Sequence, residues 1–182
     1  MTTALAPSDL DTGPIPDLVE PLEAWRVWRV GMLQGRVVLK SLFVGAVWEP
    51  AIPLAATCSQ RHRPRLRPWR LEPSGHAPPE MSCRCGIYGV QSVIAARSYL
   101  ERPDLLCRGE RVIGRVALWG NVVEGELGWR ASRAYPIELF VPAPAVVRSG
   151  LRRRAYMDEI LQSLEEYMVP VDVVEPNVLA AL

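Results

Sequence analysis

RVIGRVALWGNVVEGELGWRASRAYPIELFV, residues 111 to 141, decides the fold class. Both halves are dense in β-branched and aromatic residues, the types that fit a pleated, half-buried surface. Between them EGELG, residues 124 to 128, supplies turn residues. The stretch therefore predicts two long strands joined as a hairpin.

Working outward, LEAWRVWRV (22–30) sets Trp25, Val27 and Arg29 against Arg26, Trp28 and Val30 with a period of two. Gly31 to Gly35 reads as a turn, and RVVLKSLFVGAVW (36–48) as one or two further strands, so a second hairpin is expected. Ile87, Val90, Ile94, Ala95 and Leu100 recur near helical spacing until Pro103. They predict a helix from Ile87 to Glu101. GLRRRAYMDEILQSLEEYM (150–168) places Leu151, Tyr156, Ile160, Leu164 and Tyr167 at helical intervals, and VDVV (171–174) reads as an edge strand. The expected class is α+β: a bent antiparallel sheet or small β-barrel with two helices and one long loop closed by a metal site. Residues 1–22 read as a flexible N-terminal arm, 23–145 as a zinc-clipped domain, and 146–182 as a C-terminal helix and tail packed on that domain or on a partner.

Composition narrows the function classes. A net charge of +1 removes the argument that rests on a strongly basic domain. Of the basic residues only Lys40 is lysine, which fits a GC-rich genome. Residues 1–20 carry Asp9, Asp11 and Asp17 with no cationic start and no apolar run, so no secretory signal is read there. The apolar region Val37 to Ala56 is broken by Lys40, Glu49, Pro50 and Pro53, a poor span for a bilayer that needs about 20 apolar residues. A soluble, cytoplasmic protein is expected. In a reducing compartment clustered cysteines favour metal over disulfides.

HAPPEMSCRCGIYG (76–89) holds such a cluster, and Cys58 completes a C-x17-H-x6-C-x-C pattern. Zinc favours four tetrahedral ligands drawn from Cys and His, so Cys58, His76, Cys83 and Cys85 are the expected metal ligands. Cys83 and Cys85 can share an ion only from a turn, which Gly86 permits. The ion would close the long irregular stretch between Cys58 and His76, where loop-closure entropy is otherwise lost. Three other chemistries fit the same residues less well. A Cys–His nucleophile pair would use Cys83 or Cys85 with His76 or His62 as base. An iron–sulfur centre would enlist Cys107 and leave His76 spare. A catalytic zinc with three protein ligands would need a base such as Glu80.

RHRPRLRPWRLEPSGHAPP (61–79) is the densest basic segment, and Arg65, Arg67 and Trp69 suit phosphates with an aromatic for stacking. Its bland counterpart is a solvated loop. Arg152, Arg153 and Arg154 open the last helix, where cations oppose the dipole, a weak pointer to an acidic partner. GWRASRAYP (128–136) alternates Trp129, Ala131, Arg133 and Tyr135 against Arg130, Ser132 and Ala134. That face could hold a base or anion, or be an ordinary strand with arginines reaching outward; Arg130 and Arg133 are the ligand candidates.

W-R-V-W-R, H-x6-C-x-C-G-I-Y, V-A-L-W-G-x-V-V-E and W-R-A-x-x-A-Y-P together resemble blocks in a group of uncharacterised bacterial proteins, mostly from actinobacteria. The resemblance spans roughly residues 24 to 141 and implies only that these blocks belong to one domain. The function expected is a non-enzymatic, zinc-stabilised module recognising nucleic acid or another polyanion. The runner-up is a structural or protein-interaction component, in which the helix Leu151 to Met168 docks on a partner wrapped by the N-terminal arm. An enzyme comes third, because no Ser–His–Asp set, phosphate loop or paired carboxylates stand in a recognisable setting.

Overall fold

The computed structural model describes residues 20–43, 45–58, 76–101, 110–143 and 151–175. Residues 1–19 of the expected N-terminal arm and residues 61–75 of the arginine-rich segment lie outside them, while the last residue of that arm, Leu22, already opens the first strand. The elements are β1 (Leu22–Leu33), β2 (Arg36–Ser41), β3 (Val47–Trp48), β4 (Leu54–Ala55), β5 (Ile87–Val90), α1 (Val93–Glu101), β6 (Arg111–Gly125), β7 (Gly128–Pro142), α2 (Leu151–Glu165) and β8 (Val171–Val174). No helix among the described residues is long and apolar enough to cross a membrane.

The two expected hairpins form. β6 and β7 pair from Gly125↔Gly128 to Ile113↔Phe140, turning through Glu126 and Leu127. β1 and β2 pair from Leu33↔Arg36 to Trp28↔Ser41. Their turn is tighter than the Gly31–Gly35 stretch suggests: only Gln34 and Gly35 leave the strands, with φ of 50° and 81°. Two successive positive φ values are what a two-residue turn of the I′ kind requires.

The sheet is mixed, because β8 runs parallel to β7 while every other pair is antiparallel. It is not a barrel. β6 bridges β1 and β7, and β5 returns from β7 to β1 through the single pair Trp25↔Val90, too little to close a ring. The expected helix from Ile87 starts six residues late. Ile87–Val90 instead extends the sheet on β7, from Ile87↔Ala131 to Val90↔Gly128. Those four residues alternate buried and exposed, a strand pattern too short to tell from a helical one by spacing. Ser92 then caps α1: its Oγ accepts from Ala95 N–H at 3.2 Å and its carbonyl from Ala96 N–H at 3.1 Å.

Both sheet faces are covered. On one, Met157, Ile160, Leu164 and Tyr167 of α2 and its final turn pack on Trp28, Val30, Leu39, Val116 and Leu139. On the other, Val93 and Ala96 of α1 pack with Val27, Ile113, Phe140 and Val174. The C-terminal helix thus buries its apolar side in the chain's own core. Tyr167 locks it there. Its hydroxyl accepts from Leu39 N–H at 2.9 Å and donates to the Trp48 carbonyl. Leu39 and Trp48 are register partners, so the phenol relays a bond their strands would otherwise make directly.

Candidate metal centre

The chain reaches the cluster from two directions. Cys58 follows β4, while His76, Cys83 and Cys85 lie on the segment leading into β5. β4 and β5 both pair with β7, at Leu54↔Ala134 and Ile87↔Ala131 respectively, so one strand sets the spacing of both arms.

The four ligand atoms all lie within 4.8 Å of one another. Cys58 Sγ and Cys83 Sγ stand 3.7 Å apart, and Cys85 Sγ and His76 Nε2 3.4 Å. A disulfide would need about 2.05 Å, so Cys58 and Cys83 are not bonded to each other. Ligands about 2.3 Å (sulfur) and 2.0–2.1 Å (nitrogen) from a shared tetrahedral ion stand roughly 3.8 Å (S–S) and 3.5 Å (S–N) apart. These two separations match that geometry, and with all four atoms within 4.8 Å of one another the group could hold a metal ion. Cys83 and Cys85 are buried, Cys58 and His76 half-buried. Burial, together with the neighbouring Cys85 and Cys58 thiols, pushes the Cys83 thiol up; the Cys85 backbone N–H bonded to it works the other way. A divalent cation would reverse that balance and hold the sulfurs as thiolates.

The Cys83–Cys85 turn depends on two further residues. Gly86 has φ of 117°, and a Cβ there would stand 3.0 Å from Pro79 Cβ and 3.1 Å from Arg130 Cβ. Arg130 of β7 lies beneath the turn, donating to the carbonyls of Cys83, Cys85 (3.0 Å) and Glu80 (3.3 Å). Its guanidinium also faces the Tyr88 ring at 5.9 Å. The planar five-donor fork of arginine suits several carbonyls at once. Glu80, the base considered for a catalytic ion, accepts from the Met81 N–H at 3.0 Å.

The structure therefore unites Cys58, His76, Cys83 and Cys85. It commits Arg130 to the turn that carries two of them. Arg133 is exposed on β7, opposite Trp119 and Ala55. Arg65, Arg67 and Trp69 lie outside the described residues, as do His62 and Cys107. The alternating aromatic–arginine face expected over 128–136 does not form. A bulge at Gly120 and Asn121 of β6, opposite Ser132, shifts the register, and Ala131 and Ala134, on alternate sides of β7, are both fully buried. Ser132 holds the bulge, accepting from Asn121 N–H at 3.0 Å. Tyr135 turns inward, donating to the Tyr167 carbonyl at 3.0 Å and accepting from Ala51 N–H at 2.7 Å.

One functional candidate escaped the sequence reading: Arg26, an arginine in phase with Ala24, Trp28 and Val30 on the buried side of β1. That phase was the available signal. Comparisons of the chain with protein-family models, curated proteins and solved structures find no match.

Proposed function

We propose that the chain is a non-enzymatic binding module in which zinc, held by Cys58, His76, Cys83 and Cys85, closes the arginine-rich segment into a surface for nucleic acid or a similar polyanion. The observation that carries this reading is the convergence of four protein donors within 4.8 Å. Three thiols and one imidazole suit zinc above harder cations. Four protein ligands also fill a tetrahedral shell, whereas catalytic zinc keeps a position for water. That favours a structural ion over an enzyme's.

Cys58 and His76 bracket the segment with Arg61, Arg63, Arg65, Arg67 and Arg70, so an ion bound by both pins its two ends together. Constraining the ends lowers the entropy that the segment must lose on binding. The helix-docking alternative is less well supported, because α2 spends Met157, Ile160 and Leu164 on the chain's own core.

The test is binding of labelled single-stranded and duplex oligonucleotides across a salt series. Affinity should fall steeply with salt, and Arg65→Ala with Arg67→Ala should lower the slope by about 0.7–0.9 for each phosphate no longer neutralised. No binding at low salt would remove the polyanion and leave the zinc-closed domain standing.

A further inference from the structure

Arg26 occupies a position where strands normally place an apolar side chain. Its guanidinium donates to the Tyr88 carbonyl on β5 and, at 3.0 Å, to Ser41 Oγ at the end of β2. It stacks 5.0 Å from the centre of the Trp48 ring. Its Nε is buried and has no partner. Burial pushes the group down to about 10, so it stays a cation at neutral pH. Among the described residues no carboxylate pairs with it. A half-buried charge without a counter-charge is costly, and chains retain one chiefly where something else supplies the partner.

Ser41 shares this position. It is 4% exposed, and its Oγ already accepts from Arg26 and from Trp48 Nε1 at 3.0 Å. Its own O–H remains able to donate to a ligand oxygen. A buried donor without an acceptor, Arg26 Nε, and a buried hydroxyl therefore meet at one place.

They line a cavity of about 360 Å³. It exists because β2 accompanies β1 only from Trp28 onward, while β5 meets β1 at one pair, Trp25↔Val90. Along Trp25 to Val27 the sheet splits, and Arg26 spans the gap. Leu42, Leu54, Ile87, Val90 and Ala96 make its walls apolar, and among the described residues no acidic side chain lines it. An apolar cavity of about 300–1,000 Å³ with a few convergent polar groups is the usual form of a small-molecule site.

The charge defines the ligand. Two arginines line the cavity, but Arg84 is exposed to solvent. Arg26 is therefore the cation that meets the apolar interior, and it neutralises one negative charge there, whereas a phosphate dianion would carry a second charge into an apolar cavity. A carboxylate also matches the planar fork of a guanidinium. We propose that the cavity between β1, β2 and β5 binds a small monocarboxylate with an apolar body, its head held by Arg26 and Ser41. This goes beyond the polyanion surface and does not depend on it. Cys85 and Gly86 form part of the cavity wall, so the metal-bound turn shapes this site too.

The experiment uses the full chain, loaded with zinc, and two probes: octanoate for an extended body and 2-naphthoate for a flat one. Each is titrated by calorimetry beside its neutral counterpart, octan-1-ol or 2-naphthol. At least one acid should bind roughly ten- to hundredfold more tightly than its alcohol, the range expected for a charge-assisted contact. Arg26→Met should erase that preference and Ser41→Ala should reduce it. If Arg26→Met does not fold, the Arg26 Nε–H resonance of the unaltered chain decides, since a carboxylate on Arg26 should shift it. No binding of either acid at about 1 mM, equal affinity for acid and alcohol, or an unmoved Arg26 resonance would overturn the proposal.

Discussion

Arg130 Nη1 donates to the Cys85 carbonyl at 3.0 Å, so a side chain of the central hairpin fixes the turn that presents two of the four candidate ligands. β7 thereby orders the cluster twice, through its pairing with β4 and β5 and through this guanidinium. Removing the guanidinium while leaving all four donors should loosen the turn. Arg130→Met is expected to weaken metal affinity by about 10- to 100-fold, the effect typical of groups that orient ligands. Competition with a chromogenic chelator reads it directly. Arg130→Lys should recover little, because an ammonium cannot fork across the carbonyls of Glu80, Cys83 and Cys85. Unchanged affinity in both variants would show that the turn holds itself.

Tyr167→Phe removes a hydroxyl that serves both Leu39 N–H and the Trp48 carbonyl in the core. Two backbone groups are left without their partner there, and each unsatisfied group costs about 1–3 kcal/mol. Urea unfolding of the metal-loaded protein should show a loss of at least about 1 kcal/mol with an unchanged slope.

The same hydroxyl gives a pH dependence. Burial first, then the nearby Tyr135 and Glu166, push the Tyr167 phenol up to about 12, against the Leu39 N–H that favours its ionised form. An unfolded tyrosine ionises near 10. Because the folded value is the higher one, the contribution is complete below about pH 10 and is lost as pH rises from about 10 to 12. The stability gap between the wild-type chain and Tyr167→Phe should therefore shrink across that window. A constant gap would mean that the phenol ionises as freely folded as unfolded.

Ile160→Ala and Leu164→Ala each empty a fully buried position between α2 and the sheet. Each should cost about 2–5 kcal/mol in the isolated chain. Tyr156, 39% exposed on the same helix, should tolerate alanine with much less loss. Small effects at all three positions would return α2 to the reading in which it docks on a partner.

The residues explain why some of this was legible in the sequence and some was not. The hairpin of β6 and β7 declares itself through β-branched density on both sides of EGELG, and α2 through its spacing of apolar residues. The clustering of Cys58, His76, Cys83 and Cys85 was legible because cysteine and histidine are few and their chemistry is narrow. Ile87 to Val90 misled, because a four-residue apolar run carries no period of its own and its pairing with β7 is non-local. The inward turn of Tyr135 was hidden for a related reason: the bulge at Gly120 and Asn121 is a property of two strands together. Arg130 looked like a surface arginine because the carbonyls it serves lie about 45 residues earlier in the chain. The single-residue link of β5 to β1, which opens the cavity beside Arg26, likewise follows from strand order alone.

The central claim is that one ion joins Cys58, His76, Cys83 and Cys85, and metal content tests it most directly. Native mass spectrometry of the full chain, expressed without added zinc, should find one zinc per chain and none in Cys83→Ser. A metal-free chain with its thiols free to react, folded to the same extent with and without added zinc, would contradict the account.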